Sequence, residues 1–246
     1  MRWCIAALIV VVLAPDSESA PKSGYEFQSD DVRSLQDDDF QNPGMLWVDE
    51  GETLFRQSAG ESAKSCASCH AALDDAVLSF PKRHAVTGKL VNLTTQIQRC
   101  RTEHQRASPL AYESREALAL TAWLGSLARG RTTRATTATP APDVARGKTY
   151  FETRRGQLNL ACRHCHELSV GLHLRGDLIS EGHGNGYPAY RLEWEGLGSL
   201  HRRLRACDIG VRAETHPLGS APYIALELFL RERAAPLPVE TPAVRR

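Results

Sequence analysis

Cys66-Ala67-Ser68-Cys69-His70 and Cys162-Arg163-His164-Cys165-His166 are two copies of one pattern, Cys-x-x-Cys-His. That spacing is the signature of covalent c-type haem attachment. The two thiols form thioethers to the macrocycle, and the histidine that follows directly is the proximal iron ligand. The chain is therefore expected to carry two covalently bound c-type haems, held by Cys66, Cys69, Cys162 and Cys165 and ligated by His70 and His166. Zinc binding by the same cysteines is the weaker reading, because histidine follows immediately in both copies.

The first twenty residues read as an export signal. Arg2 supplies the positive start, Ile5 to Ala14 the apolar stretch, and Ser17, Ser19 and Ala20 the small residues of a cleavage site. The apolar run is too short to span a bilayer, although a permanent N-terminal anchor is the competing reading. Export places the protein in the periplasm, where disulfides persist. The formal net charge is +1 over 246 residues. Loss of Arg2, Asp16 and Glu18 with the leader makes it +2. That balance points to neither nucleic acid nor a membrane as a partner.

The chain repeats around each motif. Gly51-Glu-Thr-Leu-Phe55 and Gly147-Lys-Thr-Tyr-Phe151 each begin fifteen residues before the first haem cysteine. Both read as amphipathic helices running into a haem loop, with Asp49 and Glu52 as a capping box for the first and Asp143 as a cap for the second. Leu93, Ile97 and Cys100 fall at i, i+4, i+7, as do Leu200, Leu204 and Cys207, which puts a sulfur on the apolar face of a helix in each half. Ala117, Leu120, Leu124 and Leu127 form the face of a closing helix that stops at Gly130. Pro222 starts another that runs through Tyr223 to Leu230. The expected fold is mainly α, two cytochrome c-like domains in tandem related by internal duplication. The expected boundaries are a signal at 1–20, a first domain at 21–130, a linker at 131–142 and a second domain at 143–246. The Pro-rich tail from Ala234 is expected to be irregular, and the acidic run Asp37 to Asp39 to be a solvated face. Cys165 to Cys207 is 42 positions against 31 for Cys69 to Cys100; the extra residues fall around Glu181 to Gly198, and a loop of that length often belongs to a site.

The sixth iron ligand is the open question. Of the two methionines, Met1 lies in the leader and Met45 could serve one haem at most. Cys100 and Cys207 offer a sulfur at the same place in each half, and a thiolate would lower the haem potential relative to methionine. A Cys100–Cys207 disulfide is one alternative. Ligation by His84, His104, His173, His183, His201 or His216 is another. The second half looks the more reactive. Arg203 lies one helical turn before Cys207, where the first half has Gln96, and Arg202, Arg205 and Arg212 crowd the same region. A basic neighbourhood lowers a thiol pKa and attracts a small anion, although each arginine could equally pair with a haem propionate or Glu214.

The run Gly184-Asn-Gly-Tyr-Pro-Ala-Tyr-Arg-Leu-Glu-Trp-Glu-Gly-Leu-Gly-Ser-Leu200, with Arg202-Arg-Leu-Arg-Ala-Cys207 and Val211-Arg-Ala-Glu214, resembles the SoxA subunits of the SoxAX cytochromes of bacterial sulfur oxidation. Ser23-Gly-Tyr-Glu-Phe27, Asp37-Asp-Asp-Phe40 and Asn42-Pro-Gly-Met-Leu-Trp47 resemble the start of the mature family sequence. The resemblance implies that His70 with Cys100, and His166 with Cys207, ligate the two haems, as in the dihaem members. It implies a SoxX-like monohaem cytochrome partner, a SoxYZ-like carrier protein and a soluble cytochrome c acceptor. The implied reaction is oxidative coupling of thiosulfate to a carrier cysteine, with Cys207 and Arg203 as the active-site pair. The rival readings are a thiosulfate dehydrogenase forming tetrathionate and a pure electron carrier.

Overall fold

The computed structural model describes residues 20–71, 73, 77–132 and 141–246. The expected signal, apart from Ala20, and the centre of the expected linker (133–140) lie outside them. Eight α-helices carry the described residues, with seven short strands between them. Helices α1 (Asp30–Asp37) and α2 (Met45–Arg56) lead into the first haem motif. A hairpin of β1 (Lys82–Arg83) and β2 (Leu90–Val91) follows, then α3 (Leu93–Cys100) and α4 (Arg115–Ser126). Next come α5 (Ala141–Glu152), α6 (Cys162–His166), a β3–β4 hairpin (His173–Leu174, Asp177–Leu178), β5 (Ala189–Arg191) and β6 (Gly196–Gly198). Helices α7 (Leu200–Gly210) and α8 (Ala221–Ala234) and strand β7 (Ala243–Arg245) close the chain. None of the described helices is long and apolar enough to cross a membrane.

Two close helix crossings form the core. Helix α2 crosses α4 at Gly51, where a Cβ would sit 2.1 Å from the Ala119 carbonyl oxygen. Helix α5 crosses α8 at Gly147, where a Cβ would sit 2.1 Å from the Ala225 carbonyl oxygen. Only hydrogen on these α-carbons lets the backbones approach so closely. One turn on, Phe55 meets Trp123 at 4.4 Å between ring centroids and Phe151 meets Phe229 at 5.4 Å. Left-handed backbone recurs at Gly60 and Gly156, Ala63 and Asn159, and Arg106 and Arg212. The two halves then differ by one residue. Cys100 to Arg106 spans six positions and Cys207 to Arg212 five, and a π-helical turn at Arg101–Gln105 takes up the additional residue.

The sulfur-bearing helices begin alike. Asn92 Oδ1 accepts from the Thr95 N–H at 3.0 Å at the start of α3, and Ser199 Oγ accepts from the Arg202 N–H at 3.1 Å at the start of α7. Both caps satisfy otherwise unpaired amides of the first turn.

Three local expectations are corrected. Helix α2 begins at Met45, so Asp49 lies inside it and caps nothing. The start is set upstream, where Asn42 Oδ1 accepts from the Gly44 N–H at 2.9 Å in an Asn-Pro-Gly turn; Glu52 pairs instead with Arg56 at 2.8 Å. Helix α5 begins at Ala141, so Asp143 lies in its first turn rather than at its cap. The tail is not irregular throughout. Strand β7 pairs parallel with β5, which pairs antiparallel with β6, so the tail and the Glu181–Gly198 insertion form one small sheet. The Val244 amide also donates to Gln36 of α1 at 3.0 Å. Three buried residues held by non-local partners leave no periodic trace in a sequence.

Candidate haem and thiolate site

In the first half, Cys66, Cys69, His70 and Cys100 line one cavity of about 590 Å³, walled by Phe55, Ile97, Leu120 and Leu124 among others. Its size and apolar lining suit a large flat cofactor. The motif turns tightly: both the Cys69 and His70 amides donate to the Cys66 carbonyl at 3.1 Å. Burial, and then the neighbouring Cys100 sulfur, push the Cys66 thiol above its ordinary pKa. Gln96 Nε2 approaches Cys100 Sγ at 3.4 Å from one turn back. Met45 is not part of this wall; its sulfur lies 3.9 Å from Arg129 Nη2. His84 and His104 do line the cavity, and His84 Nδ1 accepts from the Thr87 amide at 3.2 Å.

In the second half the motif itself forms α6. His166 Nδ1 lies 2.8 Å from the Ser180 carbonyl oxygen. The carbonyl can only accept, so Nδ1 carries the proton and Nε2 keeps the lone pair that an iron ligand needs. Gly182 closes the clamp. Its φ is +74°, and a Cβ there would lie 2.7 Å from His166 Cγ. The inserted segment therefore holds the imidazole flat. Ser180 and Gly182 escaped the sequence reading; the one available signal was the added length of that loop.

His166 and Arg203 converge on Cys207. Burial opposes ionisation of the Cys207 thiol, but the neighbouring His166 imidazole and the Arg203 charge outweigh it and hold the thiol below its ordinary pKa. Cys162, by contrast, is pushed up to about 12 by burial and by Cys207 beside it. Arg203 Nη1 also lies 3.7 Å from Glu193. Arg202 and Arg212 have separate engagements: Arg202 stacks on Trp194 at 4.2 Å, and Arg212 reaches Gln157 at 3.4 Å; Arg205 is exposed. The six described cysteines are free thiols. Cys100 stands beside Cys66, and Cys207 beside Cys162, so the two lone sulfurs sit in separate sites rather than in a mutual disulfide. Three candidate histidines are committed elsewhere. His201 lies 2.9 Å from Glu227, His183 lies 2.9 Å from Glu181, and His216 packs on Tyr150 and Tyr223. His173 lies on the exposed β3 strand.

The residue after Cys207 anchors its helix. Buried Asp208 accepts from Tyr150 Oη at 2.8 Å and Tyr223 Oη at 2.7 Å, and pairs with Arg155. Tyr223→Phe removes one hydrogen bond to a buried charge and is expected to cost about 2 kcal/mol, read by chemical denaturation; an unchanged midpoint and slope would contradict this anchoring.

The residues present fit a covalently held haem in both halves. Each offers two thiols, a following histidine and a lone sulfur; the first adds a cavity of suitable volume and the second an oriented imidazole.

Residues 50–133 match the family model described as the SoxA/TsdA cytochrome c domain. The chain is 37% identical to the L-cysteine S-thiosulfotransferase subunit SoxA of Pseudaminobacter salicylatoxidans, covering 91% of this chain and 80% of that protein. It is 35% identical to the subunit of the same name from Rhodovulum sulfidophilum, with the same coverage of each. Among solved structures, a chain in the crystal structure of SoxXA from P. pantotrophus superposes with a TM-score of 0.87 at 33% identity, covering 92% of this chain and 87% of that one.

Proposed function

This chain belongs to the SoxA family, and from that premise we propose how its residues divide the work of an L-cysteine S-thiosulfotransferase subunit, which couples thiosulfate to a cysteine thiol. Cys66 and Cys69 hold a first haem and Cys162 and Cys165 a second. His70 with Cys100, and His166 with Cys207, supply the axial ligands. The two halves, 21–130 and 143–246, are cytochrome c-like units related by duplication. The paired glycine crossings, the shared left-handed positions and the equivalent caps of α3 and α7 support that reading. The assembly includes a SoxX-type partner subunit. The cysteine acceptor belongs to a SoxYZ-type carrier, a soluble cytochrome c takes the electrons, and the leader at 1–20 directs the chain to the periplasm.

The observation that carries the mechanism is the Arg203 charge beside the Cys207 thiol, which is held below its ordinary pKa. Arg203 attracts the thiosulfate dianion and orients its outer sulfur toward Cys207. The Cys207 thiolate bonds to that sulfur, giving a Cys207–S–S–SO₃⁻ adduct and releasing two electrons. When bound, the second haem supplies the one-electron acceptor through which those electrons leave. The carrier thiolate then attacks the outer sulfur. It takes the sulfonated group, and the Cys207–S bond breaks to return the thiolate. The covalent intermediate divides one difficult reaction into an oxidative coupling and a displacement at the same sulfur.

Arg203→Ala tests the assignment. Transfer onto the carrier is expected to fall about 10²-fold, the usual cost of losing one charge-stabilising donor. A lowered thiol pKa keeps the thiolate populated down to lower pH, so removing the Arg203 charge moves the acid limb of the rate profile to higher pH. A full rate with an unmoved limb would return Arg203 to a structural pairing with Glu193. Tetrathionate formation without carrier would favour the thiosulfate dehydrogenase reading instead.

A further inference from the structure

Asp143 is a fully buried carboxylate that takes no part in either thiol site. A buried charge must be paired. Asp143 Oδ1 accepts from Arg83 Nη2 at 2.9 Å, Oδ2 lies 2.8 Å from Arg83 Nε, and Arg146 completes the cluster. One hydrogen bond and one close ion-pair contact hold the guanidinium against the carboxylate. Arg83 belongs to the other half of the molecule. It lies on β1, lines the first cavity, and donates from Nη1 to the Gly88 carbonyl at 2.7 Å. The same stretch is held twice more by helix α8. Arg231 Nη1 reaches the Pro81 carbonyl at 3.4 Å, and Asn92, the cap of the Cys100 helix, donates to Glu227 Oε2 at 2.7 Å. At the position of the first half that corresponds to Asp143 the residue is Trp47, which carries Arg115 on its ring face. The carboxylate is therefore an addition to the second half and not part of the repeated frame.

We propose that Asp143 is a positioning residue for the first haem, holding Arg83 at the cavity wall and cancelling its charge there, so that the potential of that haem is set across the boundary between the halves. The inference rests on the reading that the cavity of Cys66, Cys69, His70 and Cys100 houses a haem. A positive charge beside haem favours the ferrous state, which carries one positive charge fewer, and a negative charge favours the ferric state.

The test is a spectropotentiometric titration of the holoprotein, resolving the two haems. Asp143→Asn leaves Arg83 uncancelled and is expected to shift the first haem severalfold toward ferrous at fixed ambient potential. Arg83→Gln, which stays measurable should Asp143→Asn fail to fold, is expected to shift it in the opposite direction. The double variant returns it near wild type, and the second haem stays unmoved throughout. A merely structural contact would move both single variants the same way by loosening the pocket, and that result, or no shift in either, would overturn the proposal. Absence of haem at Cys66 and Cys69 in the mature protein would overturn the reading of the cavity, and the inference with it.

Discussion

Cys207→Ser is expected to abolish transfer of thiosulfate to the carrier thiol, a loss on the order of 10⁴-fold or more, the scale on which removal of a catalytic nucleophile acts. Serine preserves the size of the side chain at the end of α7, so Ser199, Asp208 and their partners keep the helix in place. What it removes is the thiolate, which the proposed function uses both as a ligand of the second haem and as the nucleophile. A serine hydroxyl is not appreciably ionised near neutral pH, and it cannot form the disulfide-type bond to the outer sulfur that the oxidative coupling makes and the displacement breaks. In the proposed assignment the first haem is attached through Cys66 and Cys69, in a separate cavity, and that attachment should be unaffected. The measurement is the mass of the carrier after incubation with thiosulfate and oxidised cytochrome c. Wild-type labelling by the Cys207→Ser variant would remove Cys207 from the reaction path.

Gly147→Ala is expected to be strongly destabilising. The added Cβ would lie 2.1 Å from the Ala225 carbonyl oxygen and 2.6 Å from Phe229 Cβ. The first obstacle is helix backbone, which cannot rotate aside. Helices α5 and α8 must part, and they carry Phe151, Leu226 and Leu230, all buried. Overpacking of this kind costs about 3 kcal/mol, partly offset by the better helix propensity of alanine, ~1 kcal/mol. The net loss corresponds to a fall in Tm of roughly 4–8 °C at ~2–4 °C per kcal/mol. Gly210→Ala is the control. It stands at the end of α7 with nothing within 4 Å of a Cβ, so it should be neutral or slightly stabilising. Equal melting of the two variants would refute the close crossing.

Much of this architecture was legible because its signals are local. The Cys-x-x-Cys-His spacing, the glycine fifteen residues before each motif and the sulfurs at matched helical positions all lie within short windows, and Pro222 does stand in the first turn of α8. Arg203 was legible as the counterpart of Gln96, since both address a sulfur from one turn back. The residues that were not legible act at a distance. Ser180 and Gly182 grip His166 through a carbonyl and an absent side chain, which carry no motif. Strand β7 is specified by β5 and by Gln36, both far away in the chain. Asp49 offers a plausible cap in the sequence, but the turn in which Asn42 accepts from the Gly44 amide sets the start of α2 upstream. Asp143 stands where the sequence suggests a cap, before an apolar run, but its partner Arg83 lies sixty residues earlier.

The central claim is that two haems are attached through Cys66 with Cys69 and Cys162 with Cys165, leaving Cys100 and Cys207 as separate sulfurs. Intact mass of the exported, matured protein, followed by peptide mapping, tests it most directly. The expected mass is that of a chain carrying two haems, thioether-linked at those four cysteines, with no bridge between Cys100 and Cys207. A single haem, or a Cys100–Cys207 disulfide, would contradict it.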